Sequence, residues 1–293
     1  MAWYSNFFTI RSLIRLPLWL ALGVAAASFA AGEMLSRPAR ARLGAPPIEL
    51  KADSVVLRCA KGLRVAGWFA RRDGELGAIL LLHGVRGNRA DMLARAQWLA
   101  ALGYSVLLID LPAHGESEGN RISFGLREAE GVRAALAFLR QELPGQRIGV
   151  IGVSLGAAAT VLAHVEPAPD ALVLESMYPT IEEAVADRLE QRLGRPGRWL
   201  APLLTMQLPL RLGISPAQLR PIDAMASLQA PVLVVAGSED RHTTLAESER
   251  LFAAAGEPRE IWVVQGAAHV DLHDFDPDGY ETRVLGFLRR HLH

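Results

Sequence analysis

A serine hydroxyl becomes an effective nucleophile only when a base takes its proton, and this sequence holds one serine placed for that chemistry. Ser154 sits in Gly152-Val153-Ser154-Leu155-Gly156, between the apolar run Ile148–Val153 and the small-residue stretch Leu155–His164. That context predicts a sharp turn from a buried strand into a helix, with the serine held in a strained backbone conformation at its tip. Side chains two positions to either side would collide there, which accounts for both glycines. The helix start would aim N–H groups and its positive end at an oxygen developing negative charge.

A base and an acid follow later in the chain. Asp240 ends Gly237-Ser238-Glu239-Asp240, and His269 ends Gly266-Ala267-Ala268-His269; each lies just past a strand-like run. In a parallel sheet the C-terminal strand ends share one edge, so residues distant in sequence meet there. Asp240 would accept the imidazole Nδ1–H, and His269 Nε2 would take the serine proton and return it to the leaving group. Glu239 is the rival acid, and His242 and His273 are rival bases. His273 stands in an acidic run with Asp271, Asp274, Asp276 and Asp278, which reads as a solvated loop. The backbone N–H groups of Val85 and Leu155 are the expected oxyanion donors, Val85 from the loop after the first buried strand. His83 is expected to bond within its own loop, and His114 to brace the loop Asp110–Gly119.

These loops need a scaffold, and the hydrophobic pattern supplies one. Residues 53–59 and 63–70 alternate around Lys61-Gly62 as an antiparallel hairpin. Short apolar runs at 78–83, 105–110, 147–153, 171–175, 231–237 and 260–264 read as strands buried on both faces. Helical spacing recurs at 91–102, 125–139, 155–164 and 280–292. Strand and helix alternate with short connections, which predicts a mostly parallel sheet covered by helices on both faces. From Met177 to Ala230 no buried-strand signal occurs. Residues 182–193 look helical and 198–214 are apolar, so the stretch of about 177–230 is expected to form a small helical cap. Additional core and a membrane-contacting surface are the alternative uses of its apolar residues.

The N-terminus differs in character. Arg11 and Arg15 precede an apolar stretch of about 16–35, and Arg37, Arg40 and Arg42 follow. This length fits a single membrane pass, and the small residues near Ala30 also fit a cleaved signal; a buried or amphipathic helix is the third reading. Flanking arginines on both sides leave the orientation open. The expected organisation is an anchor or signal over 1–36, a linker over 37–52 and a catalytic domain over 53–293. The 293 residues are 51% hydrophobic, and 31 basic side chains balance 31 acidic ones. That balance gives no electrostatic reason to expect nucleic acid as a partner. The single cysteine, Cys59, lies in an apolar alternation and reads as a small buried residue. The histidines show no zinc-ligand spacing, so neither metal nor other cofactor is expected.

On these residues the sequence resembles the α/β-hydrolase superfamily. His83-Gly84, the Asp110–Gly119 loop, the Gly152–Gly156 turn, Gly237–Asp240 and Gly266–His269 stand in the family's order over roughly 53–290. His83-Gly84-Val85-Arg86-Gly87-Asn88 and Glu175-Ser176-Met177-Tyr178 are similar to bacterial, N-terminally membrane-tethered members related to the serine aminopeptidase-like and acyl-protein thioesterase-like branches. The resemblance implies an α/β-hydrolase fold and cofactor-free hydrolysis of esters or thioesters through an acyl-enzyme. The apolar cap points to a hydrophobic acyl substrate. An amidase or peptidase using the same three residues, and a non-catalytic binding protein on the same fold, are the competing readings.

Overall fold

The computed structural model describes residues 5–292 apart from Lys61 and Glu75, and side chains from Trp19 onward. The expected turn residue Lys61, the side chains of Arg11 and Arg15, and the first four residues of the N-terminal segment therefore lie outside the described residues.

Eight strands form one sheet: β1 (Asp53–Arg58), β2 (Arg64–Ala70), β3 (Ala78–Leu82), β4 (Ser105–Ile109), β5 (Ile148–Val153), β6 (Ala171–Glu175), β7 (Val232–Gly237) and β8 (Arg259–Val264). Their spatial order is β8-β7-β6-β5-β3-β4-β2-β1. β1 pairs antiparallel with β2, and β2 with β4. Every other pairing is parallel. Strands buried on both faces need apolar side chains in both directions, and all five residues of β3, β4 and β6 are buried.

Helices cover the two faces. α2 (Leu93–Ala101) and α11 (Pro277–Leu292) enclose one core, built on residues such as Ile79, Leu81, Leu99 and Phe287. α3 (Glu128–Glu142), α4 (Leu155–Leu162) and α9 (Leu245–Ala254) enclose the other, with Leu80, Leu82, Leu136 and Leu251. Helix α9 has no counterpart in the hydrophobic reading. Its start is marked instead by a capping box, in which the Thr244 hydroxyl and the Glu247 carboxylate satisfy each other's backbone N–H.

The insertion after β6 is helical, as its lack of strand signal implies. It holds α5 (Ile181–Leu193), α6 (Ala201–Thr205), α7 (Leu208–Leu212) and α8 (Pro221–Ala224), with a 3-10 segment over Arg195–Leu200. Pro202 and Pro209 stand at the starts of α6 and α7, where their missing N–H costs nothing, and divide what composition alone reads as one stretch. A short helix α10 (Leu272–Phe275) precedes α11.

At the N-terminus, α1 (Ser5–Ser36) is 32 residues long. Its stretch Trp19–Ser36 is long and apolar enough to cross a membrane. The last turns of α1 lie on the cap: Ser28 Oγ donates to the Leu203 carbonyl at 2.9 Å, and Arg211 Nη1 lies 2.8 Å from Glu33 Oε2. The chain beyond α1 also follows the protein surface, with Ala39–Arg40 pairing in parallel with His114–Gly115.

Candidate active site

The turn from β5 into α4 is as tight as its glycines imply. Ser154 has φ 49° and ψ −103°, a conformation that L-residues other than glycine adopt only under constraint. A Cβ on Gly152 would lie 2.7 Å from the Ala157 nitrogen, and one on Gly156 only 2.5 Å from the Leu82 carbonyl oxygen. Both obstacles are backbone, so no side-chain movement relieves them. The Ser154 carbonyl accepts the Ala158 N–H at 3.0 Å and opens the helix. The Leu155 N–H, at the first helical position, belongs to the group left without an intrahelical acceptor.

The loop after β3 passes directly by the serine. A Cβ on Gly84 would lie 3.8 Å from Ser154 Cβ. Gly87 N–H closes a turn onto the Gly84 carbonyl at 3.2 Å, and among the described residues the Val85 N–H has no hydrogen-bond partner. The loop is held by buried polar groups. His83 Nδ1 bonds the Gly84 carbonyl at 2.7 Å, and Nε2 accepts the Leu111 N–H at 3.0 Å. Burial pushes the His83 imidazole down to about 3, so it is neutral in this role. Arg89 bonds Asp110 through its backbone N–H at 2.7 Å and through its guanidinium. His114 Nδ1 lies 3.0 Å from the Pro112 carbonyl, within the Asp110–Gly119 loop.

Past β7 and β8, Asp240 and His269 face each other, with Asp240 Oδ2 2.7 Å from His269 Nδ1. The other carboxylate oxygen accepts the N–H groups of His242 at 2.8 Å and Thr243 at 3.0 Å. Burial disfavours the Asp240 charge, but the His269 bond and the two N–H donors outweigh it and hold the carboxyl below its ordinary range. The two loops are joined by the Glu239 N–H to the Ala267 carbonyl at 2.9 Å. The Glu239 side chain itself is exposed. Among the described residues neither Ser154 Oγ nor His269 Nε2 has a hydrogen-bond partner.

The rival histidines are placed differently. The His242 ring stands edge-on to His269 with centroids 4.8 Å apart, and burial followed by the His269 field lowers its basicity. His273 corrects the expectation of a solvated loop residue. It is buried, stacked on Trp98 at 5.8 Å and against Tyr280 at 5.0 Å, because the acidic run folds back into α10 and α11.

Folding also gathers histidines that sequence spacing keeps apart. Asp240, His242 and His269 offer three potential metal-ligand atoms within 4.8 Å of one another. Two tetrahedral zinc ligands stand about 3.4 Å apart. The 2.7 Å between Asp240 Oδ2 and His269 Nδ1 is the spacing of a shared proton instead.

One supporting group lies outside the sequence reading. Arg95 is fully buried and binds Glu175 at 2.8 Å, Asp271 at 2.7 Å and the Tyr280 hydroxyl at 3.1 Å. Tyr280 in turn donates to Glu175. Glu175 ends β6 beside Ser154, and Asp271 follows His269 by two residues, so this cluster ties both loops to α2 and α11. The available signal was a charged residue closing a buried apolar strand, which demands a buried cation.

Comparison with known proteins places these features among relatives. A family model described as the alpha/beta hydrolase family matches residues 79–282. The uncharacterized protein Rv2307c of Mycobacterium tuberculosis is 36% identical over 246 residues, covering 81% of this chain and 78% of that protein. The alpha/beta hydrolase domain-containing protein WAV2 of Arabidopsis thaliana is 27% identical over 257 residues, covering 83% and 80%. Among solved structures, the Pyrococcus furiosus esterase Pf2001 superposes with a TM-score of 0.75 at 24% identity, covering 88% of this chain and 99% of the esterase.

Proposed function

The chain belongs to the alpha/beta hydrolase family, and from that premise we propose that it is a serine hydrolase that cleaves carboxylic esters or thioesters of hydrophobic acyl groups. The observation that carries this reading is the 2.7 Å Asp240–His269 pair standing at the same sheet edge as a serine held at φ 49°.

In this reading Asp240 fixes the imidazole with its proton on Nδ1, which leaves Nε2 to accept the Ser154 proton. The serine oxygen then attacks the acyl carbon, and the N–H groups of Val85 and Leu155 hold the resulting oxyanion. His269 returns the proton to the departing alcohol or thiol, leaving the acyl group on Ser154. Water, deprotonated by His269, repeats the sequence and releases the acid. The esterase activity carried by the Pf2001 name favours an ester over an amide. The apolar composition of the cap, with Trp199, Leu200, Leu203, Leu204, Met206, Leu208 and Leu210, favours a hydrophobic acyl chain.

We also read α1 as a retained membrane anchor. Removal at Ala30 or Ala31 would discard Ser28, whose hydroxyl donates to the Leu203 carbonyl and accepts from the Gln207 amide, and Phe29, whose ring lies 4.0 Å under the Arg211 guanidinium.

A fluorophosphonate probe tests the nucleophile: it should label the folded protein and fail on Ser154→Ala. Folded protein that takes no label would leave the fold without this chemistry. Turnover of p-nitrophenyl esters of graded chain length, set against acyl thioesters and peptide p-nitroanilides, tests the substrate class. Preference for the anilides would make the protein an amidase instead.

A further inference from the structure

The cap carries an apolar stripe that faces away from the core. From Arg195 to Leu212 the backbone is helical or in connecting turns. Ala201, Thr205, Leu208 and Leu212 recur at helical spacing, and all are buried. A second stripe, Trp199, Leu203, Met206 and Leu210, recurs at the same spacing on another side. There Trp199 is 82%, Met206 72% and Leu210 92% exposed. Scattered exposed apolar residues are ordinary, but a periodic run ending in a tryptophan marks a surface meant to be covered.

What covers it is indicated by α1. Between the two cap stripes, Gln207 and Arg211 bond the end of α1 at Ser28 and Glu33. From Trp19 to Ala27, immediately before that junction, every α1 residue is exposed. From Leu16, past the last arginine, to Ala27 the helix runs about 18 Å, which carries it from the junction into the bilayer's hydrocarbon core. The exposed cap stripe therefore begins where α1 leaves the domain. Arg192 and Arg195 precede the stripe, exposed and without an ion pair among the described residues, with Arg192 also within electrostatic reach of His242.

We propose that the cap segment 199–210 lies in the headgroup region of an anionic lipid bilayer, beside the point where α1 enters it. Trp199, Leu203, Met206 and Leu210 would reach the acyl boundary, while Arg192 and Arg195 meet lipid phosphates. The cap would then rest at the membrane surface, fixed there by the Glu33 ion pairs to Arg121 and Arg211. This rests on the reading of α1 as an anchor and not on the reaction proposed above.

The test uses the full chain in nanodiscs of phosphatidylcholine and phosphatidylglycerol. An environment-sensitive NBD label is placed singly through Leu22→Cys, Met206→Cys, Leu210→Cys and Val56→Cys; native Cys59 is buried. Emission at 206 and 210 should move to the blue and be quenched by headgroup-region spin-labelled lipid. The label at 22 should be quenched more deeply in the bilayer, and the one at 56 should behave as in water. Water-like emission at 206 and 210 with a shifted label at 22 would overturn the docking surface while leaving the anchor. A shift at 206 and 210 that lipid does not quench, and that vanishes at one chain per disc, would assign the face to a second copy and overturn it equally. Water-like emission at 22 as well would remove the anchor and the proposal together.

Discussion

Arg95 Nη1 lies 2.7 Å from Asp271 Oδ2, two residues beyond His269, and the same guanidinium binds Glu175 at 2.8 Å. Arg95 and Glu175 are each 1% exposed or less, so neither charge has water to fall back on. Removing one partner of such a pair costs about 3–5 kcal/mol, because the other stays buried and uncompensated. Arg95→Met is expected to lower stability by that amount in urea unfolding. The double variant Arg95→Met with Glu175→Gln should recover part of the loss, which a packing defect alone would not. Esterase turnover should fall in the single variant, because the loop carrying His269 loses its tie to α2.

Asp240→Asn keeps the shape of the acid and removes its charge. Its amide would donate to the imidazole and favour the tautomer with the proton on Nε2, the nitrogen that takes the serine proton in the proposed reaction. The expected loss in kcat is about 10³–10⁴-fold with KM nearly unchanged. Steady-state kinetics on a short-chain p-nitrophenyl ester would read it. A loss under ten-fold would remove Asp240 from the orienting role and reopen the question of the acid.

Gly156→Ala should be far more damaging than a single methyl implies. The added carbon meets the carbonyl of Leu82, the last residue of β3, at 2.5 Å. Either α4 lifts off the sheet or β3 shifts, and overpacking of this kind costs about 1–3 kcal/mol or more. At roughly 2–4 °C per kcal/mol for a domain near this size, the melting temperature should drop by at least about 3 °C. Fluorophosphonate labelling should slow as well, because the same shift moves Ser154.

The sheet and the serine turn were legible because their signals are local. Each buried strand reads as a short apolar run, and the two glycines around Ser154 report a steric requirement within five residues. The pairing of Asp240 with His269 follows from strand order alone, since both close parallel strands at one edge. What the sequence did not reveal depends on long-range polar contacts. Arg95 lies on an otherwise apolar helix, and nothing near it in sequence announces Glu175 or Asp271. His273 sits in an acidic run that looks solvated until α11 packs beneath it. Helix α9 has only Leu245, Leu251 and Phe252 as large apolar residues, and the Thr244–Glu247 box marks its start. The prolines at 202 and 209 divide the cap where composition shows one hydrophobic stretch.

Glu247 supplies a prediction in pH. It is buried against α5, where burial and the nearby Asp187 carboxylate raise its pKa to about 7, against about 4.3 in an unfolded chain. Between those values the folded protein holds a proton that the unfolded chain has already lost. Stability from this group is therefore complete below about pH 4.3 and is lost as pH rises through about 7. Glu247→Gln removes the charge that must be buried at high pH. Its amide oxygen can still accept the Thr244 N–H, which Glu247 takes at 2.6 Å, and its NH₂ can donate to Asp187 Oδ2, which is buried without a partner. The variant should melt several degrees above the parent at pH 8.5, for a gain of roughly 2 kcal/mol. At pH 4 the two should melt together. Equal melting temperatures at both pH values would show that Glu247 is already ionised at neutral pH, with its charge satisfied by the capping box.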